Sequence, residues 1–156
     1  MKITLLVVGK TTSAQIELLI QEYQKRLTHY VPFALQVIPE LKNTKALTPD
    51  QQKQAEGELI LRAVAQNADL VLLDEHGKEY RSIEFADYIQ KKMSSGRDVV
   101  FVVGGPYGFS EAVYQRANGK ISLSKMTFSH QMVRLFFVEQ IYRAMTILRG
   151  EPYHHE

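Results

Sequence analysis

The sequence predicts an α/β protein with a parallel sheet covered by helices on both faces, and three observations carry that expectation. The segments Ile3 to Val8, Asp69 to Leu73 and Val99 to Val103 are apolar almost throughout, as strands buried on both sides must be. The segments between them repeat their apolar residues at helical spacing. Turns rich in glycine, proline or serine separate the two kinds, so strand and helix alternate along the chain.

In order, Ile3 to Val8 reads as a buried strand ending at Gly9. Residues 14 to 30 form a helix capped by Ser13, with Ile16, Leu19, Ile20, Tyr23 and Leu27 on its apolar side. Pro32 ends it, and Phe33 to Ile38 alternates as a strand. Pro39 to Leu47 is a polar loop. Thr48-Pro49-Asp50-Gln51 then supplies a cap, a proline at the first helical position and a capping-box glutamine for a helix running to about Gln66. Asp69 to Leu73 is a strand, with Asp74-Glu75-His76-Gly77 as the turn at its carboxyl end. Ser82 is the expected cap of a helix carrying Ile83, Phe85, Ala86, Ile89 and Met93. After the strand Val99 to Val103, Gly104-Gly105-Pro106-Tyr107-Gly108 leads to a short helix capped by Ser110 and reaching about Ala117. Ile121 to Leu123 is the last strand. Gln131 to Leu148 is a long helix, stopped by Gly150 and Pro152.

With 156 residues, 45% of them hydrophobic and 23% charged, the chain is sized for a single domain over 1–156. It contains no cysteine, which excludes disulfides and thiolate metal sites. His76, His154 and His155 have no zinc spacing, so no metal is expected. The first residues lack a secretion-signal pattern, and no run reaches the roughly 18 apolar residues of a membrane span. A cytoplasmic protein is expected.

The net charge of +2 is unevenly placed. Gln115 to Gly150 holds six basic residues and one acid, Glu139, against 13 basic and 16 acidic residues elsewhere. A basic C-terminal third on a mildly acidic body suits contact with RNA phosphates. The last helix is apolar around most of its circumference, leaving a narrow polar stripe through Gln131, Arg134, Gln140 and Arg143. Such a helix has to be covered on more than one side, and a second copy of the chain is the expected cover.

Ligands of parallel α/β folds sit beyond the carboxyl ends of the strands. The glycine turn at 104–108 lies at such an end, where missing side chains let backbone groups approach a ligand. It matches neither the Walker loop nor the dinucleotide fingerprint. Leu123-Ser124-Lys125-Met126-Thr127-Phe128-Ser129-His130 mixes apolar and hydroxyl residues in a way that suits an adenine pocket.

These segments, together with Leu72-Leu73-Asp74-Glu75-x-Gly77-Lys78, Arg134, Glu139-Gln140-x-Tyr142-Arg143-Ala144 and Pro152-Tyr153-His154, resemble the ribosomal RNA large subunit methyltransferase H family of the SPOUT class. The resemblance covers the whole chain. It implies a SPOUT fold with a C-terminal trefoil knot and a homodimer. It also implies S-adenosylmethionine as cofactor and N3 of a pseudouridine in large-subunit ribosomal RNA as the methylated position. By motif, it puts the cofactor contacts on Leu73, Gly104, Leu123, Ser124, Lys125, Met126, Thr127 and Phe128, with Gly105 and Gly108 shaping the turn. Ser129 departs from the proline that many members carry before the histidine.

Transfer of a methyl group to an imide nitrogen needs alignment and a route for the N3 proton. His154, Tyr153, Arg143 and Arg134 are the candidate catalytic residues. Of these, His154 is the first choice for contact with the target base, and Tyr153 is placed to stack on it. Arginines are better suited to phosphate or carbonyl oxygens than to taking a proton. Asp74 and Glu75 are expected at the pocket rim or as caps of the turn. Two other readings stay open: a non-catalytic nucleotide- or RNA-binding module, and an enzyme of the same class acting on transfer RNA. One small domain grips little RNA, so the substrate is expected to be the ribosome rather than free RNA.

Overall fold

Five strands form one all-parallel sheet in the order β2-β1-β4-β3-β5 in a computed structural model that describes residues 1–155. The strands are β1 Ile3–Val8, β2 Phe33–Ile38, β3 Asp69–Glu79, β4 Val99–Val103 and β5 Gly119–Ser122. The helices are α1 Ala14–Leu27, α2 Pro49–Ala63, α3 Ser82–Ser94, α4 Glu111–Arg116 and α5 Met132–Leu148. The expected α/β class and parallel sheet are therefore present.

Alternate residues of the central strands feed two cores. Leu5, Val7, Val71, Phe101 and Val103 face α1, α3 and α5, and Leu6, Leu70, Leu72 and Val102 face α2 and α4. Burial on both faces explains why these strands lack polar alternation. In α5, Phe137, Val138, Ile141, Ala144 and Met145 are buried, and the helix packs against both α1 and α3. Those neighbours account for most of its apolar circumference without a second copy. Phe136 stays 38% exposed, and Met132, Val133, Leu135, Tyr142, Ile147 and Leu148 are only half-buried.

Local signals behave as their chemistry dictates. Ser13 and Ser110 accept the N–H groups of Ile16 and Val113, and Thr48 with Gln51 closes a capping box. The helix expected to be capped by Ser82 instead includes that residue. Its cap is Arg81, whose backbone N–H is received by the Glu84 carboxylate at 2.8 Å. The loop after Ile38 contains a short 3-10 turn at Thr44–Ala46. Ser129 is informative as well. Its hydroxyl accepts the Met132 N–H at 3.0 Å and its carbonyl the Val133 N–H at 3.0 Å, so it starts α5. A proline in its place has no hydroxyl to offer.

The largest departure from the expected elements is in β3. The strand does not stop at Leu73. Ile121 of β5 pairs with Leu73 and again with Lys78, so residues 74–77 are squeezed out as a bulge before the ladder resumes. The bulge brings Gly77 onto the backbone of β5. A Cβ at Gly77 would lie 2.6 Å from both N and C of Ile121, so only glycine fits.

Candidate functional site

The carboxyl ends of β3 and β4 open into a cavity of about 580 Å³, a size suited to a nucleoside-sized ligand. Its walls come from three places. The glycine turn Gly104–Gly108 supplies one, the loop holding Leu123, Ser124, Met126, Thr127 and Phe128 a second, and the bulge residues Asp74, Glu75 and His76 a third. Leu73, His130 and Val133 also line it.

Each wall is held by short-range chemistry. Gly108 donates to the carbonyl of Gly105 at 3.1 Å, which folds the glycine turn back on itself. Behind the turn lies the carboxylate of Glu56, and a Cβ at Gly105 would sit 2.3 Å from its Oε1. In the second wall, the Ser122 hydroxyl donates to the carbonyl of Ser124 and the Ser124 hydroxyl accepts from the N–H of Met126. Tyr114 donates to Asp74, whose other oxygen accepts the N–H of His76. Burial and that carboxylate push the Tyr114 phenol up to about 12, so it remains a donor.

Of the cofactor residues expected from the motifs, Leu73, Gly104, Gly105, Gly108, Leu123, Ser124, Met126, Thr127 and Phe128 all line this one cavity. Lys125 does not. Its side chain points outward, with Glu79 4.0 Å away. Asp74 and Glu75 stand at the wall, as expected. The residue set fits an adenosyl ligand: Leu73, Leu123, Phe128 and Val133 offer apolar contact for a ring, and the glycine turn exposes backbone groups. Carboxylates at Asp74 and Glu75 are acceptors suited to sugar hydroxyls.

The four expected catalytic residues divide into two groups. Arg143, Tyr153 and His154 come together around Glu139. Arg143 Nη2 donates to Glu139 Oε1 at 2.6 Å, the Tyr153 hydroxyl donates to the same oxygen at 2.9 Å, and Arg143 Nη1 meets His154 Nδ1 at 3.1 Å. Tyr23 reaches Tyr153 hydroxyl to hydroxyl at 3.2 Å, and Tyr142 packs edge-on against its ring. The terminal segment thus folds back over α1 and α5 rather than lying in solvent. Tyr30 donating to Glu151 adds a further tie. Burial, then hydrogen bonds with Tyr23 and Glu139, raise the Tyr153 phenol well above its ordinary range.

Arg134 stands apart. The polar stripe drawn for it from the sequence is not where its head group lies, because the residue is only 2% exposed. Its guanidinium donates to the carbonyls of Val8, Gly9 and His130 and to the Thr11 hydroxyl, at 2.9 to 3.2 Å. It ties the end of β1 to the start of α5. None of Arg134, Arg143, Tyr153 and His154 lines the cavity.

Sequence reasoning passed over Glu56 and Glu139. Glu56 had a visible signal: with Ile60 and Val64 it continues the buried face of α2 at four-residue steps, a carboxylate within an apolar stripe. It is 4% exposed, and its Oε1 has no hydrogen-bond partner. Burial raises its pKa above the ordinary 4.5. The raised value means that the fold favours the protonated form. Stability from this site is full below pH 4.5 and is lost as pH rises through the raised value. Glu56→Gln removes the buried charge, so its melting temperature is expected to exceed that of the parent by a few degrees near pH 8, roughly 1 kcal/mol. The two curves should meet at acid pH. A variant less stable than the parent at pH 8 would contradict this account.

Among the described residues, no helix is long and apolar enough to cross a membrane, and no group of three or more His, Cys, Asp or Glu is arranged to hold a metal ion.

A family model described as "Predicted SPOUT methyltransferase" matches residues 1–154. A Bacteroides thetaiotaomicron protein named Ribosomal RNA large subunit methyltransferase H is 64% identical over 157 residues, with all of both chains covered. Proteins of the same name from Parabacteroides distasonis and Flavobacterium johnsoniae are 62% and 56% identical, again over the full length of both chains. A parallel α/β sheet with a glycine-lined cavity at its carboxyl edge, and a family match spanning nearly all residues, lead to one conclusion: the chain belongs to the SPOUT methyltransferase family.

Proposed function

We propose that this chain is an S-adenosylmethionine-dependent methyltransferase that modifies N3 of a pseudouridine in large-subunit ribosomal RNA, acting as a homodimer on the assembled ribosome in the cytoplasm. The observation that carries the reading is the convergence of the glycine turn, the 122–128 loop and Leu73 on one cavity, in a chain of this family. Relatives named Ribosomal RNA large subunit methyltransferase H support the RNA class.

The bound cofactor supplies an electrophilic methyl group on a sulfonium. The chain's own work is to bind and align. Leu73, Leu123 and Phe128 would offer apolar contact to the adenosyl group, and the backbone at Gly104, Gly105 and Gly108 with the hydroxyls of Ser124 and Thr127 would offer it hydrogen-bonding groups. Arg143, Tyr153 and His154 meet the target base. They form a cluster separate from the cavity, and that separation supports a dimer in which the terminal segment of one copy serves the cavity of the other. Phe136, Phe128 and the hollow between them and Tyr80 are the apolar surface for that contact. The return of the chain from β5 to α5 is where we place the knot of this family.

Purified protein is incubated with isotope-labelled S-adenosylmethionine and ribosomes from a strain lacking the endogenous enzyme, and the label is mapped by nuclease digestion and mass spectrometry. Label on one large-subunit pseudouridine, absent from deproteinised RNA, is the expected result. Bound cofactor without label would move the search to another RNA, and absence of cofactor binding would favour a non-catalytic binding module. Sedimentation should give twice the 17.9 kDa chain mass.

A further inference from the structure

We propose that Glu56 is a positioning residue for the glycine turn, seating Gly105 from behind and so fixing how closely the 104–108 backbone approaches a cofactor in the cavity. The contact is a property of the fold, and its bearing on the cofactor rests on the proposed function.

Glycine at 105 has no conformational cause. Gly108 takes a φ of +80°, in the left-handed region that side chains avoid, whereas Gly105 lies outside that region. What forbids a side chain at 105 is Glu56. A Cβ there would fall 2.3 Å from Oε1 and 2.8 Å from both Cδ and Oε2. The carboxyl is not free to swing away, because Glu56 is 4% exposed.

The next residue of α2 makes a second close approach. A Cβ at Gly57 would sit 2.4 Å from Oγ of Ser110, the residue that caps α4. Glu56 and Gly57 thus press on the two ends of the segment 105–110 and hold it between them. Phe109 packs over Gly104, its ring carbons 3.1 to 3.4 Å from where a Cβ would stand.

A carboxyl is a costly choice for this seat. Oε1 has no hydrogen-bond partner, and Oε2 has Gln52 at 3.5 Å. An apolar side chain would be buried there without that penalty. An unsatisfied buried oxygen calls for a use besides stability. The groups facing the carboxyl are Gln52 from α2, Glu40 from the loop after β2, and His130 from the segment before α5. His130 lines the same cavity as the glycine turn. Burial favours the protonated carboxyl, so glutamine reproduces both its shape and its charge.

Withdrawing the carboxyl leaves Gly105 unsupported, and backbone groups displaced by about 1 Å lose their alignment with a bound ligand. The same withdrawal makes room for a methyl group at 105. Positions 56 and 105 should therefore be coupled in cofactor affinity, which a general contribution to stability would not produce.

Calorimetric titration of S-adenosylmethionine into the parent, Glu56→Ala, Gly105→Ala and the double variant, each below its melting temperature, tests the coupling. Gly105→Ala in the parent should weaken binding about thirtyfold and Glu56→Ala about fivefold, while the double variant should bind about as well as Glu56→Ala alone. Glu56→Gln should stay within about twofold of the parent and should not relieve Gly105→Ala, because its amide fills the same space. Hydrogen exchange on the ligand-free chains gives a second reading. Residues 104–110 should exchange faster in Glu56→Ala and at the parent rate in Glu56→Gln. Losses that simply add in the double variant, or a Glu56→Gln as weak as Glu56→Ala, would overturn the proposal. If Glu56→Ala does not fold, Glu56→Val, which also lacks Cδ and both oxygens, takes its place. A parent that binds no S-adenosylmethionine removes the cofactor reading, and the exchange rates then decide the seat alone. Unchanged protection of 104–110 in Glu56→Ala would overturn it.

Discussion

Gly77→Ala is expected to be the most damaging single-methyl change in the chain, costing about 3 kcal/mol or more and abolishing cofactor binding. The added Cβ would fall 2.6 to 2.7 Å from N, C and Cα of Ile121. These are backbone atoms of β5, so no side-chain rotation relieves the overlap, and the β3–β5 ladder has to separate. That ladder carries both sides of the cavity. Asp74, Glu75 and His76 are displaced with the bulge, and Ser122 to Phe128 follow directly from β5. Thermal unfolding together with calorimetric titration of S-adenosylmethionine checks it. A variant that melts within a degree or two of the parent and binds normally would show that β5 tolerates the shift.

Arg134→Met should destabilise the chain by about 2–4 kcal/mol, a large effect for a residue that does not itself line the cavity. Methionine fills a similar length, but it leaves the carbonyls of Val8, Gly9 and His130 without the donors that now satisfy them. Arg134→Lys is expected to recover only part of the loss, because one ammonium cannot reach four acceptors arranged around a planar fork. Activity should fall in parallel with folded fraction, since His130 and Val133 line the cavity from the segment that Arg134 anchors. Denaturant unfolding of the two variants against the parent decides it. If Arg134→Met were as stable as the parent but inactive, Arg134 would belong to substrate binding after all.

The comparison of Arg134 with Arg143 shows where a sequence stops being informative. Both stand on one polar stripe of the last helix, and both look equally available to RNA. The helix packs so that one is buried against the end of β1 while the other reaches Glu139 and the terminal segment. Nothing local to either residue records the difference, because it depends on what lies 125 positions away in the chain. Glu139 and Glu56 were passed over for a related reason. A carboxylate's role is set by what it accepts from, and those donors arrive from Tyr153 and Arg143 in one case, while in the other Gln52 reaches Oε2 and Oε1 is left without one.

The loops that line the cavity were legible for the opposite reason. Leu73, Gly104 and the run from Leu123 to Phe128 sit at the carboxyl ends of strands or just after them, and in a parallel sheet those ends share one edge by construction. Lys125 was the exception, since a loop residue's direction is not set by its place in the run.

The sequence by itself determined the α/β class and the position of nearly every strand and helix, because apolar periodicity, caps and glycine turns act over a few residues. It also marked the cavity walls, through glycine and apolar runs at strand ends. Only the tertiary structure decided that β3 continues past a bulge, that Arg134 is an internal tie, and that the terminal segment folds onto Glu139. These depend on pairings between segments distant in the chain, whose free energy comes from burial and hydrogen bonding that no local pattern encodes.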